Sequence, residues 1–219
     1  MKVCEKFDAL GLEDPDTTYR LGIFGGTFDP VHIGHLAAAE RVREDAHLDA
    51  VVFMPAGVPV FKLNQKVSSG EDRLAMVRLA TAGNPFFDVS DIEVKREGNT
   101  YTYETLRVVR DHYPENVELF FIAGADAIMS LGKWRNALEL TTLAQFIAMT
   151  RPGYSRDEAE RSVFVGDRRL DVRFLEVPGL NISSSYVREC VGNNRTIRYI
   201  VPESVRDYIR QHNLYRQVS

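Results

Sequence analysis

Short continuous apolar runs alternate along the chain with stretches of helix-forming composition. Residues 21–25 form an apolar run closed by glycine, which predicts a buried strand. Residues 35–47 favour helix by propensity. Residues 50–54 predict a second strand stopped by Pro55, and residues 55–69, with Pro55, Gly57 and Pro59, a loop. Ser69-Gly70-Glu71-Asp72 opens a helix that Leu74, Val77 and Leu79 continue and Gly83-Asn84-Pro85 stops. Residues 86–94 alternate as a strand, and residues 102–113 are helical up to Pro114. Residues 117–123 lack polar alternation, which predicts a central strand covered on both faces. Residues 146–150 and 172–177 predict strands, with a helix over 155–163 between them. Residues 183–191 and 203–212 predict the closing helices, and residues 1–19, polar and aperiodic, a loose N-terminal extension.

This alternation predicts an α/β fold: a Rossmann-like, open, mainly parallel sheet with helices on both faces, in one domain over residues 20–219. Ligands of such sheets bind beyond the carboxyl ends of the strands. Chemistry is therefore expected just after Phe24, Met54, Ala123 and Val177.

Composition narrows the classes. Of 219 residues, 44% are hydrophobic and 26% charged, which excludes a disordered or fibrous chain. Lys and Arg number 27 against 31 Asp and Glu, a net charge of −4. That balance argues against a nucleic-acid partner but leaves room for a local basic pocket. Cys4 and Cys190 form no C-x-x-C pair; two free thiols of a reducing cytoplasm are the expectation, with one bridge between the chain ends as the alternative. No apolar run approaches the ~18 residues of a membrane span, and no apolar stretch behind Lys2 and Lys6 suits a signal peptide. The expectation is a soluble, cytoplasmic protein with no membrane partner; a homo-oligomer stays open.

The densest chemistry follows the first strand: Gly25-Gly26-Thr27-Phe28-Asp29-Pro30-Val31-His32-Ile33-Gly34-His35. The two glycines let backbone approach a ligand. A helix starting near Gly34 presents amides and a positive dipole end to phosphate oxygens. His32 and His35, three apart, can face one anion. The run fits neither the dinucleotide-binding G-x-G-x-x-G nor the P-loop. The histidine spacing also permits a zinc pair, but no third ligand of suitable spacing lies nearby. Near the other end, Ile182-Ser183-Ser184-Ser185-Tyr186-Val187-Arg188 places a serine N-cap ahead of an arginine one turn in, which can fork onto phosphate.

The first run, with His32-Ile33-Gly34-His35, resembles the H-x-G-H signature of the nucleotidyltransferase superfamily, and the second its I-S-S-x-x-x-R element. Further runs in family order resemble the bacterial nicotinate-mononucleotide adenylyltransferases. They are Met54-Pro55-Ala56-Gly57, Arg73-Leu74-Ala75-Met76, Thr100-Tyr101-Thr102, Gly124-Ala125-Asp126, Lys133-Trp134, Arg151-Pro152-Gly153 and Leu214-Tyr215. The likeness spans about residues 20–216. One departure is Pro59-Val60-Phe61-Lys62, where many relatives carry Pro-Pro-His-Lys.

The resemblance implies adenylyl transfer from ATP to nicotinate mononucleotide, giving nicotinate adenine dinucleotide and pyrophosphate, a step of NAD biosynthesis. It implies His35, His32 and Arg188 as catalytic, and Gly25, Gly26, Thr27, Phe28, Gly34, Ile182, Ser183 and Ser184 as the ATP and phosphate site. Tyr101, Thr102, Asp126, Trp134 and Arg135 would hold the mononucleotide, with Lys62 or its rival Lys66 on the acceptor phosphate. Trp134, the single tryptophan, suits stacking on a flat ring, though a packing role fits it as well. Thr102 doubles as a helix N-cap candidate. Mg²⁺ would arrive on the ATP phosphates, with no dedicated protein ligands. Other readings are a phosphopantetheine adenylyltransferase, and a nucleotide-binding regulator that has lost catalysis.

Overall fold

In this computed structural model, which describes residues 3–59, 67–153, 163–165 and 167–216, β1 (Tyr19–Gly26) is the hub of a six-stranded sheet. β2 (Ala50–Pro55) pairs with it on one side and β6 (Val117–Gly124) on the other, both parallel. β4 (Phe87–Val89) lies outside β2; β7 (Gln145–Thr150) and then β10 (Val172–Glu176) lie outside β6, again parallel. Two further pairs stand apart: β3 (Val58–Pro59) with β5 (Asn99–Thr100), and β8 (Phe164–Val165) with β9 (Arg168–Arg169).

The two-residue period of the strands builds a core on each face. Leu21, Ile23, Val52 and Met54 point to one. There they meet Phe7 of α1 (Glu5–Asp8), Leu106 of α4 (Thr102–His112), Ile128 of α5 (Ala125–Met129) and Leu140 of α6 (Ala137–Leu143). Phe24, Val51 and Phe53 point to the other. Their partners are Val42 of α2 (Ile33–Asp45), Met76 of α3 (Gly70–Thr81), Val187 of α7 (Ser184–Gly192) and Val205 of α8 (Glu203–Gln211). The fold class expected from the alternation is the one observed, and β6 is central and covered, as its apolar run predicts.

The connections leaving β1 and β6 run to opposite sides, so a crevice opens between their carboxyl ends. Gly25 and Gly26 stand on one lip and Gly124 on the other.

Three expectations are corrected. Residues 1–19 are not a loose extension from residue 3 onward: Val3, Cys4 and Phe7 are buried in the first core. Lys6 Nζ donates to the carbonyls of Asn84 and Phe87, and Tyr113 donates its hydroxyl to Asp8. Strand pairing over residues 86–94 is confined to Phe87–Val89. The loop over residues 55–69 contains β3. The helix expected over 155–163 lies, Val163 apart, outside the described residues. Both cysteines are free and buried. Among the described residues no helix is long and apolar enough to cross a membrane.

Candidate active site

The glycines at the end of β1 are required by packing before any ligand arrives. A Cβ on Gly25 would stand 2.8 Å from the Phe121 ring, and one on Gly26 would stand 2.8 Å from Phe28. Phe28 itself takes a left-handed φ of 51°, the kind of costly backbone that clusters at functional sites. The chain then turns into α2, whose N-cap is His32.

Helix α2 begins earlier than predicted, at Ile33, and its start is partly committed within the chain. Ile33 N–H donates to the Ile200 carbonyl, which leaves fewer amides for an anion than the sequence suggests. The histidines are arranged by each other. His32 donates its backbone N–H to His35 Nδ1 at 3.2 Å, and the two rings stack at 3.6 Å with a 22° tilt. Phe28 packs edge-on against His35 at 5.1 Å. His35 Nδ1 is thereby an acceptor, so in the neutral ring the proton sits on Nε2.

His32 is buried and its Nδ1 has no hydrogen-bond partner. Burial, assisted by the positive charge of Arg151, lowers its pKa from 6.5 to about 4. His32 is therefore a neutral donor or acceptor at pH 7 rather than the cation a phosphate clamp invites.

Across the crevice, Ser183 caps α7 by accepting the Tyr186 N–H, as its position predicts. Ser184 donates its hydroxyl to the Pro30 carbonyl, tying this helix to the glycine-rich loop. Arg188 donates to the Asp29 carbonyl at 2.6 Å and to Ser185 Oγ at 3.1 Å. The result is a cleft of about 410 Å³ lined by Gly25, Gly26, Phe28, His32, Gly34 and His35 on one wall. Ile182, Ser183, Ser184 and Arg188 line the other, with Arg151 and Gly124 at the rim. Thr27 does not line it; its carbonyl accepts from Arg73. A larger hollow of about 770 Å³ beside Lys6, Arg78 and Asp88 holds none of this set, so chemistry rather than size selects the site.

Of the residues expected to hold a mononucleotide, Tyr101 and Arg135 are brought into contact. Arg135 lies over the Tyr101 ring at 4.8 Å and donates to Glu104 at 2.9 Å. Trp134 donates Nε1–H to Ser130 Oγ and meets Phe121 edge-on at 5.8 Å. Phe121 is the ring that fills the space over Gly25, so it links Trp134 to the glycine-rich turn. Asp126 is exposed in the first turn of α5. Thr102 is not the N-cap of α4: Tyr101 holds that position, with no side-chain cap bond. Lys62 and Lys66 lie outside the described residues.

Sequence reasoning passed over Asp29, Arg73 and Tyr215 as site residues. Asp29 and Arg73 are buried charges, at 3% and 1% exposure. A carboxylate inside the glycine-rich turn was the available signal, because a buried charge requires partners. Among the described residues no three His, Cys, Asp or Glu side chains gather as metal ligands.

Comparison with known proteins matches the cytidylyltransferase-like family model to residues 23–190. A Clavibacter michiganensis protein named as a probable nicotinate-nucleotide adenylyltransferase is 48% identical over 197 residues, covering 90% of this chain and 94% of that one. A Thermoanaerobacter protein of the same name is 44% identical, covering 90% and 95%. The chain belongs to the nicotinate-nucleotide adenylyltransferase family. The fold agrees: the nicotinic acid mononucleotide adenylyltransferase of Plasmodium falciparum, solved with NaAD, superposes with a TM-score of 0.73 at 20% identity. That superposition covers 90% of this chain and 97% of the other. In nicotinate-nucleotide adenylyltransferase terms, the cleft walls described above are the two signature runs of the chain brought face to face.

Proposed function

We infer that this chain transfers the adenylyl group of ATP to nicotinate mononucleotide, releasing pyrophosphate and forming nicotinate adenine dinucleotide. The observation that carries this reading is the cleft at the sheet crossover, where His32 and His35 face Arg188, in a chain of this family.

A phosphate oxygen of the mononucleotide attacks the α-phosphorus of ATP in line. One phosphorus–oxygen bond forms, the α–β bridging bond breaks, and pyrophosphate leaves with the electron pair. No protein nucleophile is required, so the residues act by positioning and by stabilising charge. His35, with its Nε2–H fixed as donor, serves the α-phosphate. Arg188 turns its fork onto the triphosphate, and neutral His32 contributes a hydrogen bond. On the acceptor side Tyr101, Thr102, Trp134 and Arg135 hold the nicotinate ring and Asp126 the ribose hydroxyls.

The polar lining of amides, imidazoles and a guanidinium suits an anion, and the loop carboxylate Asp29 is engaged by Tyr215 and Ser68. His32, His35 and Arg188 would hold the phosphates on which Mg²⁺ would be carried, and the ion would supply neutralisation of phosphate charge. The deciding experiment is pyrophosphate release with a panel of acceptors. Turnover with nicotinate mononucleotide above phosphopantetheine and other phosphates is expected. Turnover confined to another acceptor would overturn the reading.

A further inference from the structure

The phosphate loop holds a buried carboxylate that the transfer steps do not use. Asp29 Oδ1 accepts the Tyr215 hydroxyl at 2.7 Å, and Oδ2 accepts the Ser68 backbone N–H at 3.3 Å. Oδ2 also stands 4.0 Å from the guanidinium of Arg188, whose same nitrogen donates to the Asp29 carbonyl. Arg73 secures the surroundings, donating to the carbonyls of Thr27, Gly57 and Ser68 at 2.9, 2.8 and 3.1 Å. At 3% exposure, an ionised Asp29 is tolerable only because each oxygen has a claimant.

Tyr215 lies 186 residues along the chain from Asp29. It holds a left-handed φ of 62° while its ring packs on the second core. A non-glycine residue keeps such a backbone only where its surroundings fix it. Burial and the adjacent Asp29 push its phenol pKa up, so the hydroxyl remains a donor throughout the working range. The separation of 4.0 Å between Arg188 and Asp29 is wider than a closed, charge-assisted contact.

We propose that Tyr215 is a positioning residue for the ATP clamp: by occupying one oxygen of Asp29, its hydroxyl keeps that carboxylate from closing on Arg188, so that the guanidinium is held only by the neutral Asp29 carbonyl and Ser185 Oγ and can turn from them onto the triphosphate. The proposal rests on the adenylyl-transfer reading of the same cleft. Without the hydroxyl, Oδ1 loses the donor that anchors the carboxylate, which can then move its Oδ2 the short way to Arg188, 4.0 Å off. The guanidinium then closes on Asp29 and must be drawn off whenever ATP binds.

Tyr215→Phe removes the hydroxyl and keeps the ring, and thermal unfolding checks that the fold is retained. Calorimetry with a non-hydrolysable ATP analogue should show about tenfold weaker binding, the scale of one hydrogen bond to a charged group. The kcat/KM for ATP should fall by the same factor, with the KM for the mononucleotide within twofold of wild type. In an Asp29→Asn background, where no negative charge draws Arg188, Tyr215→Phe should alter analogue affinity by less than twofold. Unchanged affinity in Tyr215→Phe overturns the proposal. So does a tenfold loss in both backgrounds, which marks a tyrosine of purely structural effect. A wild-type chain that binds the analogue but releases no pyrophosphate with any mononucleotide defeats the adenylyl-transfer reading alone, and the affinity series still decides on Tyr215. A wild-type chain that binds no analogue defeats both.

Discussion

His32 gives its backbone N–H to the Nδ1 of His35 at 3.2 Å, so one histidine of the signature selects the tautomer of the other. The stack of the two rings and the edge of Phe28 then fix the plane in which the His35 Nε2–H can donate. A donor fixed in advance of the reaction loses little when charge develops on a phosphate oxygen.

His35→Ala should therefore lower kcat by ~10²–10³, the scale for one lost transition-state donor. ATP affinity should fall far less. Steady-state kinetics with a separate binding titration measure both, and a variant keeping more than half of the wild-type kcat would remove His35 from the mechanism.

The neutral state of His32 has its own signature. Its pKa is about 4 in the fold against 6.5 when exposed, so between those values the unfolded chain binds the extra proton. Stability should rise with pH across that window and be lost as pH falls from 6.5 towards 4. An imidazole NMR titration should place the His32 midpoint near 4; a midpoint above 6 would contradict the burial argument.

Glu93 points the other way. Burial raises it to about 7 against the Thr105 hydrogen bond and the charges of Arg96 and Arg73, which pull down. The folded chain binds the extra proton between 4.5 and 7, so stability falls as pH rises through that window. The full effect is on the order of 3 kcal/mol. Glu93→Gln should raise the melting temperature at pH 8 by several degrees and leave it nearly unchanged at pH 4.5. Equal shifts at both pH values would refute this.

Arg188→Lys keeps the charge and loses the fork. A fall of about tenfold in kcat/KM for ATP is expected, with an unaltered circular dichroism spectrum. Wild-type ATP kinetics would reduce Arg188 to a surface arginine.

Acceptor choice turns on the ring substituent. Donors from the Thr102 hydroxyl and the backbone amides near Thr102 and Arg135 favour a carboxylate, while the NH₂ of an amide would face donors and lose ~1–3 kcal/mol. Nicotinate mononucleotide should therefore exceed nicotinamide mononucleotide in kcat/KM by at least about tenfold. The ratio is read under identical ATP and Mg²⁺, and parity would overturn acid selectivity while leaving adenylyl transfer intact.

The sheet was legible because buried parallel strands leave continuous apolar runs, as at β2 and β6. Both cleft walls were legible because each is one short run of sequence. What stayed hidden depends on distant partners. The apolar alternation over residues 86–94 is real, but pairing stops at Val89. Ser90 still donates to the Phe53 carbonyl, and β2 then reaches Pro55, which has no N–H to give. Val3, Cys4 and Phe7 span little more than one turn, too short for a periodic signal. No local pattern pairs Asp29 with Tyr215 or buries Glu93 beside Thr105.

The docked N-terminal segment also sets a timetable. Lys6 waits for carbonyls 78 and 81 residues later in the chain, and Asp8 for a hydroxyl 105 residues later. At ribosomal speeds of about 5–20 residues per second, those partners emerge roughly 4–20 s after the segment does. Until then Phe7 lacks the edge contact with Tyr113 that completes its packing, although Tyr19, its other ring partner, is made soon after it. The earliest of these residues to be made thus waits for its partners until β4 and α4 have been made, with β6, β7 and β10 still to follow.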